Sequence, residues 1–288
     1  MDFAVIVVLQ VLVAVAQLAL ISIGLAVIFG MMRVINLAHG EFLMLGGFTV
    51  VIAANYGVNL WVAMVVAAPI VVGLIGIVIE RLVIRHLYGR MVDTMLATWG
   101  LSLLIVGAVT MIFGNTTRGV SAPLGSIAVG HYQTSVYELT LVVAAVALFL
   151  LAYVFFRFTR LGLMARATMQ NAEMAESLGV GTSRVYAVTF GVGAALSGLA
   201  GGLLAPLSGV LPTMGVAYVA KAFITVISGG AAVLAGTASA SALLGTLDTV
   251  ATFIATPVVG EMTLLIAAII LLRLLPQGLT GRFMRRLS

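Results

Sequence analysis

The sequence predicts an all-α polytopic membrane protein with about eight or nine membrane segments. Hydrophobic residues make up 62% of its 288 residues and charged residues only 8%, whereas a soluble domain carries about 25% charged residues. The long uncharged runs also lack the two-residue alternation of an outer-membrane barrel. Composition and pattern therefore both indicate helices that cross a lipid bilayer.

Seven runs without a formal charge provide the predicted segments: 3–32, 42–79, 94–117, 139–156, 185–220, 222–247 and 262–272. A span needs roughly 20 residues, so the runs 42–79 and 185–220 must each contain more than one segment or a broken one. The first run is too long for the apolar part of a signal peptide and follows no basic residue, which predicts a retained span. Glycine-rich stretches predict closely packed, glycine-broken helices, and Pro206 and Pro212 are expected to break the later run near its end.

The arginines predict the orientation in the membrane. Eleven of them lie at segment ends that would share one side: Arg33, Arg81, Arg85, Arg90, Arg157, Arg160, Arg166, Arg184, Arg282, Arg285 and Arg286. The alternate loops hold only Arg118. By the positive-inside rule the arginine-rich loops are cytoplasmic, the amino terminus is outside and the carboxyl terminus is inside. The net charge of +5 therefore reflects topology and does not indicate nucleic-acid binding.

The longest soluble-looking stretch, which we call the central segment, spans residues 159–184 between two apolar halves. Helical spacing places four apolar residues on one stripe and three charged residues on the other side: Leu163, Ala167, Met174 and Leu178 against Arg166, Glu173 and Glu176. This pattern predicts a short amphipathic helix that ends at Gly179 and Gly181. A helix this short is marginal alone, so we expect the adjoining spans and a partner protein to hold it. An ordinary connecting loop is the alternative.

Polar and ionisable residues interrupt the apolar runs in two regions. Asn36, His39 and Glu41 lie close together in RVINLAHGEFLMLGG. One histidine and one carboxylate provide too few ligands for a zinc site, which favours a polar cluster with a role in gating. In the second half, Lys221 and Asp248 lie in apolar surroundings. Ionisable groups inside a membrane are costly, so both are functional-site candidates, with snorkelling at the membrane interface as the alternative.

Four stretches resemble the membrane permease subunits of bacterial ABC importers in the branched-chain amino acid family: RVINLAHGEFLMLGG, ATWGLSLL, RATMQNAEMAESLGVGTSRVYAVTFGVGAALSGLAGGL and AFITVISGGAAVLAG. The resemblance extends to PQGLTGR at 276–282 and covers nearly the whole chain. It implies one transmembrane permease domain, 1–288, in the bacterial inner membrane. It also implies a second homologous permease, two ATPase subunits that bind ATP and Mg, and a periplasmic substrate-binding protein. This chain itself is expected to hold no cofactor.

The resemblance further implies that the central segment couples the permease to its ATPase. The implied coupling residues are Arg166, Gln170, Asn171, Glu173, Met174, Glu176, Leu178 and Gly179. A path for a small solute is expected between this chain and the second permease. The candidate residues for lining or gating that path are Asn36, His39, Glu41, Thr98, Ser102, Lys221, Thr225, Ser228, Gly229 and Gly230.

Two substrate classes remain open at this point. The element ATWG at 97–100 and the pair Gln170 and Asn171 resemble the urea and short-chain amide members of the family. Lys221 in YVAKAF resembles instead the members that carry branched-chain and other hydrophobic amino acids. A corridor of hydroxyls and backbone carbonyls suits either class, because both solutes are neutral overall.

Other classes of function are less well supported by the sequence. No GxxxxGK[ST] loop is present and Lys221 is the only lysine, so ATP hydrolysis is expected in partner subunits. An ion-coupled secondary transporter of small amino acids or amides is the chief alternative, with Lys221, Asp248 or Glu41 as ion-coupling groups. An intramembrane enzyme is disfavoured because HExxH and GxSxG motifs are absent. The chain has no cysteine, which excludes disulfides and thiolate metal sites.

The arginine distribution predicts the outcome of a topology experiment. A reporter fused at Ser126 should read as periplasmic and one fused at Glu173 as cytoplasmic, because basic loops stay on the cytoplasmic side. Alkaline phosphatase and green fluorescent protein fusions at both sites measure this, each serving as the control for the other. The opposite pattern at both sites would exclude the orientation.

Overall fold

The computed structural model describes residues 2–130 and 132–284, and helices account for most of them. The helices are α1 Asp2–Met32, α2 His39–Asn55, α3 Leu60–Val62, α4 Ala68–Leu82, α5 Met91–Phe113, α6 Val136–Phe158, α7 Arg160–Gln170, α8 Ala172–Ser177, α9 Thr182–Ser208, α10 Met214–Gly229, α11 Val233–Ile254, α12 Pro257–Leu274 and α13 Gly278–Met284. Arg285, Arg286 and the side chain of Arg282, all used above, lie outside the described part.

Seven segments of the described chain are long and apolar enough to cross a membrane. They are Ala4–Met32, Leu60–Leu82, Met91–Phe113, Val136–Phe158, Thr182–Ser208, Val233–Ile254 and Pro257–Gly281. The long run 42–79 contains most of α2 and most of the second of these spans, and the run 185–220 contains most of α9 and the start of α10. These spans confirm the prediction of an all-α polytopic membrane protein.

The span Leu60–Leu82 changes helical type along its length. A π-helical turn, Ala63–Ala67, lies between α3 and α4. Pro69 follows as the second residue of α4. Proline has no backbone N–H and its ring crowds the preceding turn, so a locally widened turn accommodates it without ending the span.

A short antiparallel hairpin was not predicted by the all-helical interpretation. Strand β1, Ser126–Val129, pairs with β2, Tyr132–Ser135, and Ser126 lies opposite Ser135. The hairpin precedes α6 in the loop that the sequence placed outside the membrane. Its strands are too short to change the fold class.

The described chain forms two compact units. The first unit takes its residues from within 1–22, 122–149 and 221–288. The second unit takes its residues from within 23–121 and 150–220. Three helices, α1, α6 and α10, contribute residues to both units.

In the second unit, α9 packs along both α2 and α4. Phe190 of α9 meets Phe42 of α2 edge-on, with 5.9 Å between ring centroids. Phe48 of α2 stacks on Phe113 of α5 at 5.1 Å. At the same end as Phe113, Arg118 and Val210 exchange backbone hydrogen bonds. These contacts fix α2, α5 and α9 around one apolar core.

The glycines of α9 pack helices closely together, as the glycine-rich sequence predicted, but the expected break at Pro206 does not occur. A Cβ atom on Gly201 would overlap the Leu43 carbonyl oxygen, and one on Gly46 would overlap the Gly198 carbonyl oxygen. Pro206 lies within the last turn of α9 and only Pro212 lies in the loop beyond. Proline near a helix end removes few internal hydrogen bonds, which explains why α9 tolerates it.

In the first unit, a glycine break does occur where predicted, between α10 and α11. Gly230 has a positive φ of 82°, a backbone conformation that favours glycine. Thr280 of α13 fastens this turn, because its hydroxyl donates to the Gly229 carbonyl at 2.6 Å and accepts from the Ala232 N–H at 3.0 Å. The PQGLTGR element therefore holds the turn between α10 and α11.

The close contact of α2 with α9 predicts a sharp difference between two glycine-to-alanine substitutions. Gly201→Ala should lower the free energy of unfolding by about 3 kcal/mol, because the added carbon overlaps backbone that has no room to move. Gly107→Ala in α5 is the matched control, since nothing lies within 4 Å of its Cβ position. Equilibrium unfolding in mixed micelles measures both. Equal stability of the two variants would contradict the packing described.

Candidate functional site

The central segment folds as two helices, α7 and α8, where the sequence predicted one. Asn171 separates them with φ −156° and ψ 104°, and its side-chain oxygen accepts a hydrogen bond from the Met174 N–H at 2.9 Å. Thr159 caps α7 in the same way through the Gly162 N–H at 3.0 Å. Asparagine favours the N-cap position over the middle of a helix, which is why the helix restarts there.

The large apolar residues predicted for the stripe are exposed, although the break at Asn171 puts Leu163 on α7 and Met174 on α8. Leu163, Met174 and Leu178 expose 61%, 58% and 78% of their surfaces. The residues that face inward are small, namely Gly162, Ala165, Thr168 and Ala175. Most of the implied coupling residues are exposed with the stripe: Gln170, Asn171, Glu173, Met174, Glu176, Leu178 and Gly179. Arg166 is half-buried and donates a hydrogen bond to the Phe156 carbonyl.

Side-chain contacts tie the end of the central segment to α4 and α9. The Glu176 carboxylate accepts a hydrogen bond from the Thr182 hydroxyl at the start of α9. One residue later, the Ser183 hydroxyl meets the Arg85 guanidinium. Tyr186 then packs on Tyr88 with 4.5 Å between ring centroids. The end of the central segment is therefore held against the first turn of α9.

Glu80 is fully buried, although it lies in the last turn of α4 beside the basic residues that follow it. The Tyr88 hydroxyl donates to Glu80 Oε1 at 2.6 Å. Burial, followed by this hydrogen bond, raises the pKa of Tyr88 above its ordinary range, so Tyr88 remains protonated and remains a donor. The signal that was missed is the tyrosine eight residues after the glutamate, which provides a buried partner for the carboxylate.

Five of the predicted path residues lie together in a buried cluster of the second unit. Ser102 Oγ donates to Glu41 Oε1 at 2.7 Å. Thr98 Oγ1 accepts from the Leu37 N–H at 3.1 Å, and Asn36 Oδ1 accepts from the Ala38 N–H at 3.1 Å. The residues of this cluster are Asn36, His39, Glu41, Thr98 and Ser102, all of them buried. Their hydrogen bonds join the 33–38 loop, α2 and α5.

Ser197 of α9 completes this cluster and was not predicted. Its hydroxyl lies 3.3 Å from His39 Nδ1 and 2.9 Å from the Gly193 carbonyl oxygen, to which it donates. The sequence did identify the small-residue face of α9 on which Ser197 lies. Among the described residues, Glu41 Oε2 and Asn36 Nδ2 have no hydrogen-bond partner.

The other five path candidates belong to the first unit. Lys221 Nζ lies 3.1 Å from Glu261 Oε1, and the Lys221 carbonyl accepts from the Thr225 hydroxyl at 2.7 Å. Ser228 is fully buried. Gly229 and Gly230 pack against other backbone, because a Cβ atom on either would overlap α11 or the 277–278 turn. Glu261 was not predicted as a path residue, because it lies just before the apolar run 262–272 and not within it.

Multiple apolar helices with an exposed amphipathic segment between two of them are the arrangement of a membrane transport subunit. The family described as "Branched-chain amino acid transport system / permease component" matches residues 7–275, and the chain belongs to this family. This confirms the resemblance identified from the sequence. The chain is accordingly a multi-pass inner-membrane permease of the ABC transport class.

Named relatives cover nearly the whole chain. The high-affinity branched-chain amino acid transport system permease protein LivH of Escherichia coli K12 is 29% identical over 283 residues, which cover 92% of this chain and 91% of the relative. BraD of Pseudomonas aeruginosa, described in the same words, is 29% identical over 288 residues with the same coverage. The probable branched-chain amino acid transport permease protein LivH of Methanocaldococcus jannaschii is 26% identical over 285 residues, 92% of this chain and 88% of the relative. Comparison with solved structures gave no significant match.

The hydrogen bond between Ser102 and Glu41 predicts a stability difference. Ser102→Ala should lower the free energy of unfolding by about 2 kcal/mol, because Glu41 Oε1 loses a donor in a buried site. Ser239→Ala is the control, since Ser239 is exposed and bonds only along its own helix, to the Gly236 carbonyl. Unfolding in mixed micelles compares the two. If Ser102→Ala were no less stable than the control, the bond would not hold α5 to α2.

Proposed function

We propose that this chain is the membrane-spanning permease subunit of an ATP-driven importer for branched-chain and other hydrophobic amino acids. The observation that carries the proposal is the exposed apolar stripe of the central segment, in a chain of this permease family. Large exposed apolar side chains in a charged segment can provide the contacts of a partner surface. The amino acid substrate is supported by the relatives LivH and BraD, which are branched-chain amino acid transport system permease proteins.

The proposed partner of the central segment is an ABC ATPase subunit. Leu163, Met174 and Leu178 supply apolar side chains for a groove, and Glu173 and Glu176 supply charge at its edge. Short helices that lay an apolar face into a groove are a recurrent mode of recognition. Two such ATPase subunits, which would bind ATP and Mg, a second homologous permease and a periplasmic binding protein complete the proposed importer.

The proposed orientation has the amino terminus outside and the carboxyl terminus in the cytoplasm. In the second unit, the basic residues after α4 lie close to the central segment, because Arg85 contacts Ser183 at the start of α9. Arg118 lies at the opposite ends of α5 and α9, where it pairs with Val210. Counting α2 and α10 with the longer spans gives nine segments in the described chain, an odd number that puts the termini on opposite sides. Both features support the orientation that the arginines predict.

The proposed path for the solute uses polar groups and leaves affinity to the soluble receptor. The whole chain, 1–288, forms one permease domain, and the path of the solute runs between this domain and the second permease. A weak corridor suits this role, because a tightly bound solute would leave slowly. Branched-chain amino acids fit a corridor with few charges, since they are neutral overall.

Uptake measurements with the complete set of partner genes test the substrate and the energy source. Cells that carry this chain should accumulate labelled leucine, and cells lacking only this chain should not. Accumulation of labelled urea or acetamide in place of leucine would replace the amino acid assignment. Continued leucine uptake after the ATPase subunits are inactivated would favour an ion-coupled secondary transporter instead.

The exposed stripe predicts the effect of charge in the central segment. The double variant Met174→Asp, Leu178→Asp should lower ATPase co-purification about tenfold, because each acidic group would be buried without a partner in an apolar groove. Folding should be unaffected, since both side chains are exposed.

The matched control places the same charges on exposed apolar residues elsewhere. Tyr56→Asp, Val58→Asp changes two exposed residues of the turn after α2, which the proposed topology puts outside. This variant should retain the ATPase. Association and uptake that survive in the central-segment variant would show that the segment is only a connecting loop.

A further inference from the structure

Three ionisable side chains of the first unit come together from three different helices. Lys221 lies on α10, Asp248 on α11 and Glu261 on α12. The ammonium of Lys221 is 3.1 Å from the Glu261 carboxylate, and Asp248 interacts electrostatically with both. Gly260 makes room for this arrangement, because its Cβ position lies 2.7 Å from Asp248 Oδ1. The sequence identified the first two residues singly and did not predict the group.

The group lies inside the apolar length of its helices. Glu261 is the fifth residue of α12, and Lys221 is the eighth of the sixteen residues of α10. At about 1.5 Å per residue, these positions are roughly 6 Å and 10 Å along the helices from their first residues. The neighbouring side chains Leu247, Val250 and Met262 are apolar and exposed. Snorkelling does not describe Lys221, since its ammonium is directed to a carboxylate on another helix.

The ion pair is accessible from outside the chain. Lys221 exposes 30% of its side chain and Glu261 exposes 53%. Charged groups at membrane depth do not face lipid tails, because their desolvation is too costly; they face other protein or a water-filled path. This differs from the Glu41 cluster, whose members are buried within the second unit.

The charges of the group complement those of a free α-amino acid. One ammonium group and two carboxylates are present, so the group offers a cation to the substrate carboxylate and anions to the substrate ammonium. A half-exposed ion pair is weak, so a substrate can replace each of its members without a large loss. Urea and acetamide carry no charge and gain little from such a group.

We propose that Lys221, Asp248 and Glu261 form a transient binding site for the zwitterionic head of an amino acid on its way through the membrane. Lys221 receives the α-carboxylate, and Glu261 with Asp248 receives the α-ammonium. This inference rests on the proposed function and adds to it the residues that select for an amino acid head. The apolar side chain of the substrate contributes no ionic contact, which allows several hydrophobic amino acids to share the site.

The test uses the complete importer, with its receptor, in proteoliposomes. Lys221→Gln and Glu261→Gln should each lower leucine transport about tenfold, because each leaves one charge of the substrate unpaired. Receptor-stimulated ATP hydrolysis and subunit assembly should remain as in the wild type. Glu138→Gln is the matched control, since Glu138 is a carboxylate of the same unit that accepts from Gln10 at 3.2 Å and lies outside the group.

Exchanging the charges of Lys221 and Glu261 distinguishes substrate binding from a purely structural role of the ion pair. The double variant Lys221→Glu, Glu261→Lys keeps an ion pair between α10 and α12 but reverses the two charges that the substrate meets. Transport should stay low while the complex stays assembled. Full recovery of transport would show that the ion pair only holds α10 against α12, and this result would overturn the inference.

Three other results would also decide against the inference or against the proposed function. Wild-type transport rates in both single variants would overturn the inference. Loss of the second permease or the ATPase from the single variants would also overturn it and would make the pair a subunit contact. Absence of leucine transport by the wild-type importer would instead refute the proposed function, whatever the variants do.

Discussion

The close approach of α9 to α2 and α4 is the contact on which the second unit depends. Lipid provides no hydrophobic force between helices, so their association relies on van der Waals packing and hydrogen bonds. Gly201 against Leu43, and Gly46 against Gly198, bring the α2 and α9 backbones into direct contact. Only at this separation does the Ser197 hydroxyl reach His39. The polar cluster around Glu41 is therefore a consequence of glycine packing as much as of its own hydrogen bonds.

Helix α9 also contacts the central segment. In its first two turns, Thr182 contacts Glu176 of that segment, while Ser183 and Tyr186 contact Arg85 and Tyr88 after α4. A second polar series on α5 extends from the same end: Thr94 donates to the Leu87 carbonyl, and Ser102, two turns on, donates to Glu41. Thr182 and Ser197 lie on one continuous helix, so the central segment and the buried cluster contact the same structural element.

Sequence patterns were sufficient for the fold class and for the grouping of Asn36, His39 and Glu41, and motif resemblance was sufficient for the family. They did not show that Thr98, Ser102 and Ser197 lie beside these three residues, because that depends on how α5 and α9 pack. They did not predict the break at Asn171, since a helical wheel registers apolar spacing and not a side chain that caps the next turn. They also did not show that α9 continues through Pro206, because a proline near a helix end removes few internal hydrogen bonds. The burial of Glu80 and the pairing of Glu261 with Lys221 required tertiary contacts.

The Glu41 cluster and the group of Lys221, Asp248 and Glu261 differ in exposure, and this difference gives them different roles. In the Glu41 cluster, hydroxyls and backbone amides meet short-range partners and no surface remains for a solute, so its hydrogen bonds fix helix positions. In the Lys221 group, the charges are paired yet half-exposed, so their interactions can be exchanged for those of a solute. A transporter needs both kinds of polar group, because a path that holds its shape must also release what it binds. Burial determines which kind a given residue supplies.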